Sequence, residues 1–119
     1  MKTLIKIQKQ LEEYFSGKRR KFTLPLNLQG TAFDKKVWKA TQKIPYGQVR
    51  TYKDIAKMIG KPKASRAVGN ALGRNPIPIL IPCHRVIASN GTLGGYSSGL
   101  KIKKILLTLE KALHLQRDG

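Results

Sequence analysis

The chain has 119 residues, 40% of them hydrophobic, enough for one domain with a packed core and at most a small appendage. Lysine and arginine number 24 against 6 aspartates and glutamates, a net charge of +18 that points to a polyanionic partner, nucleic acid ahead of a membrane surface, with an inert basic surface as the bland alternative. No apolar run approaches membrane-spanning length, no signal-peptide pattern follows Lys2, and a lone cysteine forms no internal disulfide, which together predict a cytoplasmic protein.

Residues 3–16 read as an amphipathic helix, with Leu4, Ile7, Leu11, Tyr14 and Phe15 on one face and Gly17 as its stop. Lys18-Arg19-Arg20-Lys21 is a basic run of the kind that is usually a solvated loop. Phe22, Leu24, Leu26 and Leu28 alternate with polar residues or proline, which predicts a half-buried strand, and Pro25 places it at a sheet edge. Gly30 breaks the pattern.

Thr31 and Asp34 form a T-x-x-D helix start. Phe33, Val37, Thr41 and Ile44 follow at core spacing, with Trp38 beside them as a core anchor. Pro45-Tyr46-Gly47 makes a turn, and Thr51 and Asp54 repeat the helix start. Tyr52, Ile55, Ala56 and Ile59 then give a two-turn helix closed by Gly60. After the turn Lys61-Pro62-Lys63, a third helix spans about 64–72. It is expected to bury Ala64, Ala67, Val68, Ala71 and Leu72 and to carry Arg66, Gly69, Asn70 and Gly73 on its other face. Helix, short turn, helix is the helix-turn-helix plan. Gly69 and Gly73 each cost about 1 kcal/mol relative to alanine inside a helix, and they let another surface approach the backbone closely. A DNA groove and a packed neighbouring helix are both such surfaces; Arg66 near the helix start favours DNA.

Arg74-Asn75-Pro76 ends that helix and leads into Pro78-Ile79-Leu80-Ile81-Pro82-Cys83-His84-Arg85-Val86-Ile87. Apolar residues bounded by prolines predict a short buried strand or extended segment. It carries the only cysteine inward and stops it beside a histidine. A thiol with a pKa of about 8.5 is mostly protonated at neutral pH, and a nearby histidine is the usual activating base. A small core cysteine with a satisfied neighbour is the bland alternative. Beyond it, Asn90-Gly91 is a hairpin signal. Residues 94–99 form a small-residue loop in which Tyr96 serves either an ordinary connection or a tight pocket for a flat ligand. The last helix starts near Leu100 and is expected to bury Ile102, Ile105, Leu106, Leu109 and Leu113. Glu110, one of only six acidic residues, falls near the edge of that stripe. No Walker A loop, Rossmann fingerprint or zinc-spaced Cys/His cluster is present, so no metal or other cofactor is expected.

Pro82-Cys83-His84-Arg85-Val86 resembles the active-site motif of the O6-alkylguanine-DNA alkyltransferases, also called methylated-DNA–protein-cysteine methyltransferases. The resemblance extends through Phe33-x3-Val37-Trp38, Ile44-Pro45-Tyr46-Gly47, Thr51-Tyr52, Ala64-Ser65-Arg66-Ala67-Val68-Gly69, Asn75-Pro76, Gly95-Tyr96-Ser97 and Leu106-Leu107-x2-Glu110, over about residues 22–113 and in the family order. It implies an α/β (α+β) fold, with a winged helix-turn-helix-like alkyltransferase domain over residues 31–119. Residues 1–30 would be a reduced N-terminal segment of one helix and one strand.

It also implies direct reversal of damage: an O6-alkylated guanine is flipped from double-stranded DNA and the thiolate takes its alkyl group, once per molecule. Cys83 resembles the acceptor, His84 the base acting through a water, and Glu110 the carboxylate that orients His84. Tyr52 is similar to the tyrosine that helps protonate the leaving guanine. Asn75 resembles the hinge residue between recognition helix and active-site segment. Arg66 matches the finger that fills the extruded base's place, with Ser65, Ala67, Gly69 and Asn70 around it on the DNA-binding face. Val86, Tyr96, Ser97 and Ser98 resemble pocket lining, Ser98 standing where a glycine is common. The expected partner is DNA and the expected state a monomer. The shortened form is also similar to alkyltransferase-like proteins that bind damage without repairing it, but those carry tryptophan at the position of Cys83. A winged-helix regulator is the remaining alternative; it gives no reason for the Cys-His pair or Glu110.

Overall fold

The computed structural model describes residues 2–23, 28–90, 92–94 and 99–110, with side chains from Ile5 onward. Helix α1 spans Lys2–Phe15. Gly17 stops it at φ +80°, a left-handed conformation that glycine adopts without a steric penalty, while Lys18 N–H closes onto the Glu13 carbonyl. The expected apolar face is only partly covered. Tyr14 is fully buried and Ile7 and Leu11 half-buried, but Phe15 is 52% exposed. Successive helix residues lie 100° apart, so Tyr14 and its neighbour cannot both point inward. Leu24, Pro25 and Leu26 of the expected edge strand lie outside the described residues, and Phe22, Thr23 and Leu28 belong to no strand. The Gln10 side chain stands in for a neighbouring strand: Thr23 N–H donates to Gln10 Oε1 at 3.1 Å.

Helices α2 (Ala32–Gln42) and α3 (Tyr52–Met58) start where their sequence signatures place them. Each has a complete capping box, Thr31 with Asp34 and Thr51 with Asp54, which satisfies two otherwise orphaned N–H groups. Asp34 also binds Arg74 at 2.6 Å, tying α2 to the end of helix α4 (Ser65–Gly73). That guanidinium holds the Asp34 carboxyl below the usual carboxylate range. Trp38 anchors the same packing, donating from Nε1 to the Ala71 carbonyl at 2.9 Å. The core gathers Val37, Trp38, Ile44, Ile55, Val68 and Ile81 from α2, α3, α4 and the segment after them.

On α4 the buried residues are Val68, Ala71 and Leu72. Ala67 is exposed, contrary to expectation, and lies with Arg66 and Asn70 on the outward face. An i, i+3, i+4 stripe starting at Val68 already fills the space beneath the helix. Strands β1 (Arg50–Thr51) and β2 (Val86–Ile87) pair in parallel, with Arg50 opposite Val86. The turn expected at Asn90 is present, closed by Ala88 N–H to the Thr92 carbonyl, with Gly91 outside the described residues. The strand before that turn nevertheless pairs across the domain with β1.

Helix α5 (Leu100–Leu109) is rotated from the expected register. Ile102 and Ile105 are 42% and 52% exposed, and Leu113 lies outside the described residues. The inward stripe is Lys103, Leu106, Leu107 and Glu110, at i, i+3, i+4 and i+7. Among the described residues no helix is long and apolar enough to cross a membrane.

Candidate active site

Between α4 and β2 the chain does not run straight. Ile81 N–H turns back to the Ile77 carbonyl around Ile79, which has φ +78°. Pro82, at φ −78° and ψ 61°, centres an inverse γ-turn closed by Cys83 N–H to the Ile81 carbonyl at 2.7 Å. Cys83–Arg85 then form one 3-10 turn rather than the extended segment expected from the apolar run. Asn75 secures this path from the end of α4. Its Nδ2 donates to the Ile81 carbonyl at 2.9 Å and to Cys83 Sγ at 3.0 Å, while its Oδ1 accepts from Ile77 N–H. A buried thiol therefore sits at the head of a tight turn with an amide donor on its sulfur.

The turn sends His84 and Arg85 toward the end of α5. His84 Nε2 lies 2.7 Å from Glu110 Oε2, and both side chains are fully buried. Arg85 binds the same carboxylate in bidentate fashion, Nε to Oε1 at 2.8 Å and a terminal nitrogen to Oε2 at 2.9 Å, and gives its other nitrogen to the Ile44 carbonyl. Tyr14 of α1 donates its hydroxyl to Oε2 at 2.5 Å, and Gly47 N–H approaches Oε1 at 3.3 Å.

Burial alone would raise the Glu110 pKa, but hydrogen bonds from His84, Arg85 and Tyr14, with the charge beside them, outweigh it and bring it down to about 2. His84 moves the other way from a charged state: burial lowers its pKa, only partly opposed by Glu110. Arg85 is the permanent counter-charge, so His84 is neutral at neutral pH. An ionised carboxylate has no proton to give, so the His84 Nε2 carries one and the Nδ1 holds a lone pair. That Nδ1 is a buried atom with no hydrogen-bond partner among the described residues. The result is a neutral imidazole, clamped at one nitrogen and basic at the other, on the residue directly after the thiol.

Tyr52, the first residue of α3, brings its ring against Gly69 of α4 and its hydroxyl close to Gly94. Ser65, Arg66 and Gly69 join Tyr52, Ala88 and Ser89 in lining a groove of about 370 Å³. Ala67 and Asn70 lie beside it on the exposed side of α4. Val86 is fully buried in the core and meets this region through its carbonyl, which accepts from Lys103 Nζ at 2.6 Å. Tyr96, Ser97 and Ser98 lie outside the described residues. Among the described residues no three His, Cys, Asp or Glu side chains are placed to hold a metal ion.

Sequence reasoning missed Tyr14, Arg85 and Lys103. Arg85 stood in the motif without a role, and Tyr14 read as one more apolar position of a helix. Lys103 is fully buried, donates also to the Leu93 carbonyl, and lies 5.9 Å from the centre of the Tyr52 ring. Burial lowers its pKa to about 8, and the charge of Cys83 acts to raise it. By the same attraction, the ammonium favours the thiolate. Its one signal was a cation at the i−7 position from Glu110, invisible among 24 basic residues.

A family model described as the DNA binding domain of 6-O-methylguanine DNA methyltransferase matches residues 32–112. A methylated-DNA–protein-cysteine methyltransferase of Methanosarcina barkeri is 63% identical over 103 residues, covering 87% of this chain; the chain spans 65% of that protein's length. The constitutive methylated-DNA–protein-cysteine methyltransferase of Bacillus subtilis is 50% identical over 115 residues, 96% of this chain and 70% of its own. Among solved structures, Mycobacterium tuberculosis OGT in complex with DNA matches with a TM-score of 0.88 at 50% identity, covering 90% of this chain and 66% of that one.

Proposed function

The chain belongs to the 6-O-methylguanine DNA methyltransferase family, and from its site we infer that it repairs double-stranded DNA by moving an alkyl group from the O6 of guanine to Cys83. The observation that carries this reading is the His84 geometry: Nε2 fixed on Glu110 at 2.7 Å and Nδ1 left without a partner among the described residues, on the residue that directly follows the buried Cys83. In the proposed step His84 Nδ1 takes the Cys83 proton through a water molecule. The thiolate attacks the alkyl carbon, an S–C bond forms, and the C–O6 bond breaks with its electron pair leaving on guanine. The Tyr52 hydroxyl supplies a proton to the departing base. Asn75 holds the sulfur at the entry to the turn, and the nearby Lys103 ammonium favours the anion before attack. The cysteine itself is the acceptor, so the step requires no cofactor, and the thioether ends the protein's activity.

Arg66, exposed on α4 beside the Tyr52 groove, is the side chain we assign to the space left by the flipped base, with Ser65, Ala67, Gly69 and Asn70 along the DNA. Val86, Tyr96, Ser97 and Ser98 are assigned to the pocket. We divide the chain into residues 31–119, which bind DNA and carry the chemistry, and residues 1–30, and place it as a monomer in the cytoplasm, on the genome. Intact mass after incubation with O6-methylguanine duplex tests the reading: a gain of about 14 Da on Cys83, once per molecule, is expected. Cys83→Ala is expected to bind the duplex without the gain. Repeated turnover, or a label on another residue, overturns transfer to Cys83; binding with no gain at all leaves damage recognition alone.

A further inference from the structure

The Glu110 carboxylate is held by residues from several stretches of chain, and one of these lies outside residues 32–112, the part matched to the family. Tyr14 on α1 is separated from Glu110 by 96 positions, yet its hydroxyl donates to the same oxygen, Oε2, that accepts from His84 Nε2. We propose that Tyr14 is a positioning residue for alkyl transfer: it takes a share of Glu110 Oε2 and thereby sets the orientation of His84 and the strength of its Nδ1 as a base. The inference rests on the transfer reading given above.

Three observations support this role over simple core filling. The Tyr14 ring is fully buried and fixed by Phe15, Phe22 and Tyr46, with centroids 5.3, 5.5 and 6.1 Å away. Phenylalanine would fill that space, whereas a buried hydroxyl is costly unless it is bonded. Second, Oε2 already accepts from His84 and from Arg85, so the tyrosine is a third donor on one oxygen with about two lone-pair directions. The donors on Oε2 compete, and each weakens the hold of the others. Third, the other groups facing this cluster do not replace it. Arg85 and His84 come from the 3-10 turn, Gly47 N–H and the Tyr46 ring from the link after α2, and Lys103 acts from α5 through its charge. Among the described residues only Tyr14 is a neutral side-chain hydroxyl on the carboxylate, and burial with the Glu110 hydrogen bond pushes its own ionisation above the usual tyrosine range, so it stays a donor.

Removing this donor leaves more of the Oε2 charge to His84. The imidazolium is then better stabilised, and His84 must give up its proton at higher pH before it can act. Tyr14→Phe is therefore expected to move the acid limb of single-turnover transfer upward by on the order of half a pH unit, slowing transfer about threefold below the limb. Above the limb the rate approaches that of the parent. Duplex binding is expected to be unchanged. A second readout does not depend on transfer: the NMR titration of the His84 ring is expected to move upward in the same variant. An acid limb and a ring titration both unmoved would reduce Tyr14 to packing. A parent protein that transfers nothing while Tyr14→Phe still shifts the ring titration would sink the transfer reading and leave the contact intact. Should Tyr14→Phe not fold, 3-fluorotyrosine at position 14 keeps the shape and donates more strongly, and both readouts are expected to move downward; no movement there also overturns the role.

Discussion

Glu110→Gln removes a charge and one acceptor without changing the size of the side chain. In the parent, Oε1 accepts from Arg85 Nε and Gly47 N–H, and Oε2 from His84, Arg85 and Tyr14. The amide NH2 group must replace one of these oxygens. At the Oε1 position it faces two N–H donors. At the Oε2 position it faces His84 Nε2, which can accept only if its proton moves to Nδ1, and that consumes the base. Either way the buried Arg85 loses its counter-charge. Breaking a buried pair from one side costs about 3–5 kcal/mol, and loss of general base assistance slows a reaction about 10²–10⁴-fold. The acid response gives an independent check. The folded-state pKa of Glu110 is depressed to about 2 from an ordinary 4.5. Its stabilisation, ~3 kcal/mol, is therefore complete above pH 4.5 and is lost as pH falls toward 2. Thermal melts of parent and variant across that window are expected to converge as the parent loses this contribution. Single-turnover transfer, run well below the variant's melting temperature, reads the rate. A variant that melts with the parent at neutral pH and transfers at the parental rate would show that Glu110 neither holds Arg85 nor orients His84.

Two further outcomes follow from the groove beside α4. Arg66→Ala is expected to slow transfer from duplex DNA strongly and to leave transfer from the free alkylated base nearly unchanged, because extruding a base costs a few kcal/mol that a free base does not face; equal slowing of both would assign Arg66 to the fold or pocket. Gly94→Ala is expected to destabilise by ~1–3 kcal/mol, because Gly94 has φ +71°. Its methyl would also fall 2.6 Å from the Tyr52 hydroxyl and displace it, so transfer is expected to slow; parental rates would show that the Tyr52 hydroxyl has no positional role.

Much of this protein is written in interactions that close within four residues. The Thr31/Asp34 and Thr51/Asp54 boxes start two helices and Gly17 and Gly60 follow the ends of two, all at their expected places, because a cap is a local hydrogen-bond problem. The helix-turn-helix follows from them. Cys83 and His84 stood out in the sequence itself, Asn75 and Glu110 took their roles from the family resemblance, and the fold joins Asn75 to the Cys83 sulfur and Glu110 to His84. What the chain order did not contain is which face of α5 turns inward and how Cys83 is presented. Hydrophobic periodicity chose Ile102 and Ile105; the folded protein buries Lys103 and Glu110 instead. Periodicity counts charges as solvent-facing, and these two are inside only because carbonyls, Arg85, His84 and Tyr14 satisfy them there. Those partners come from residues up to 96 positions away. A hydrogen bond of that span exists only after the core has closed, so tertiary structure alone decides the arginine on the carboxylate and the tyrosine behind it.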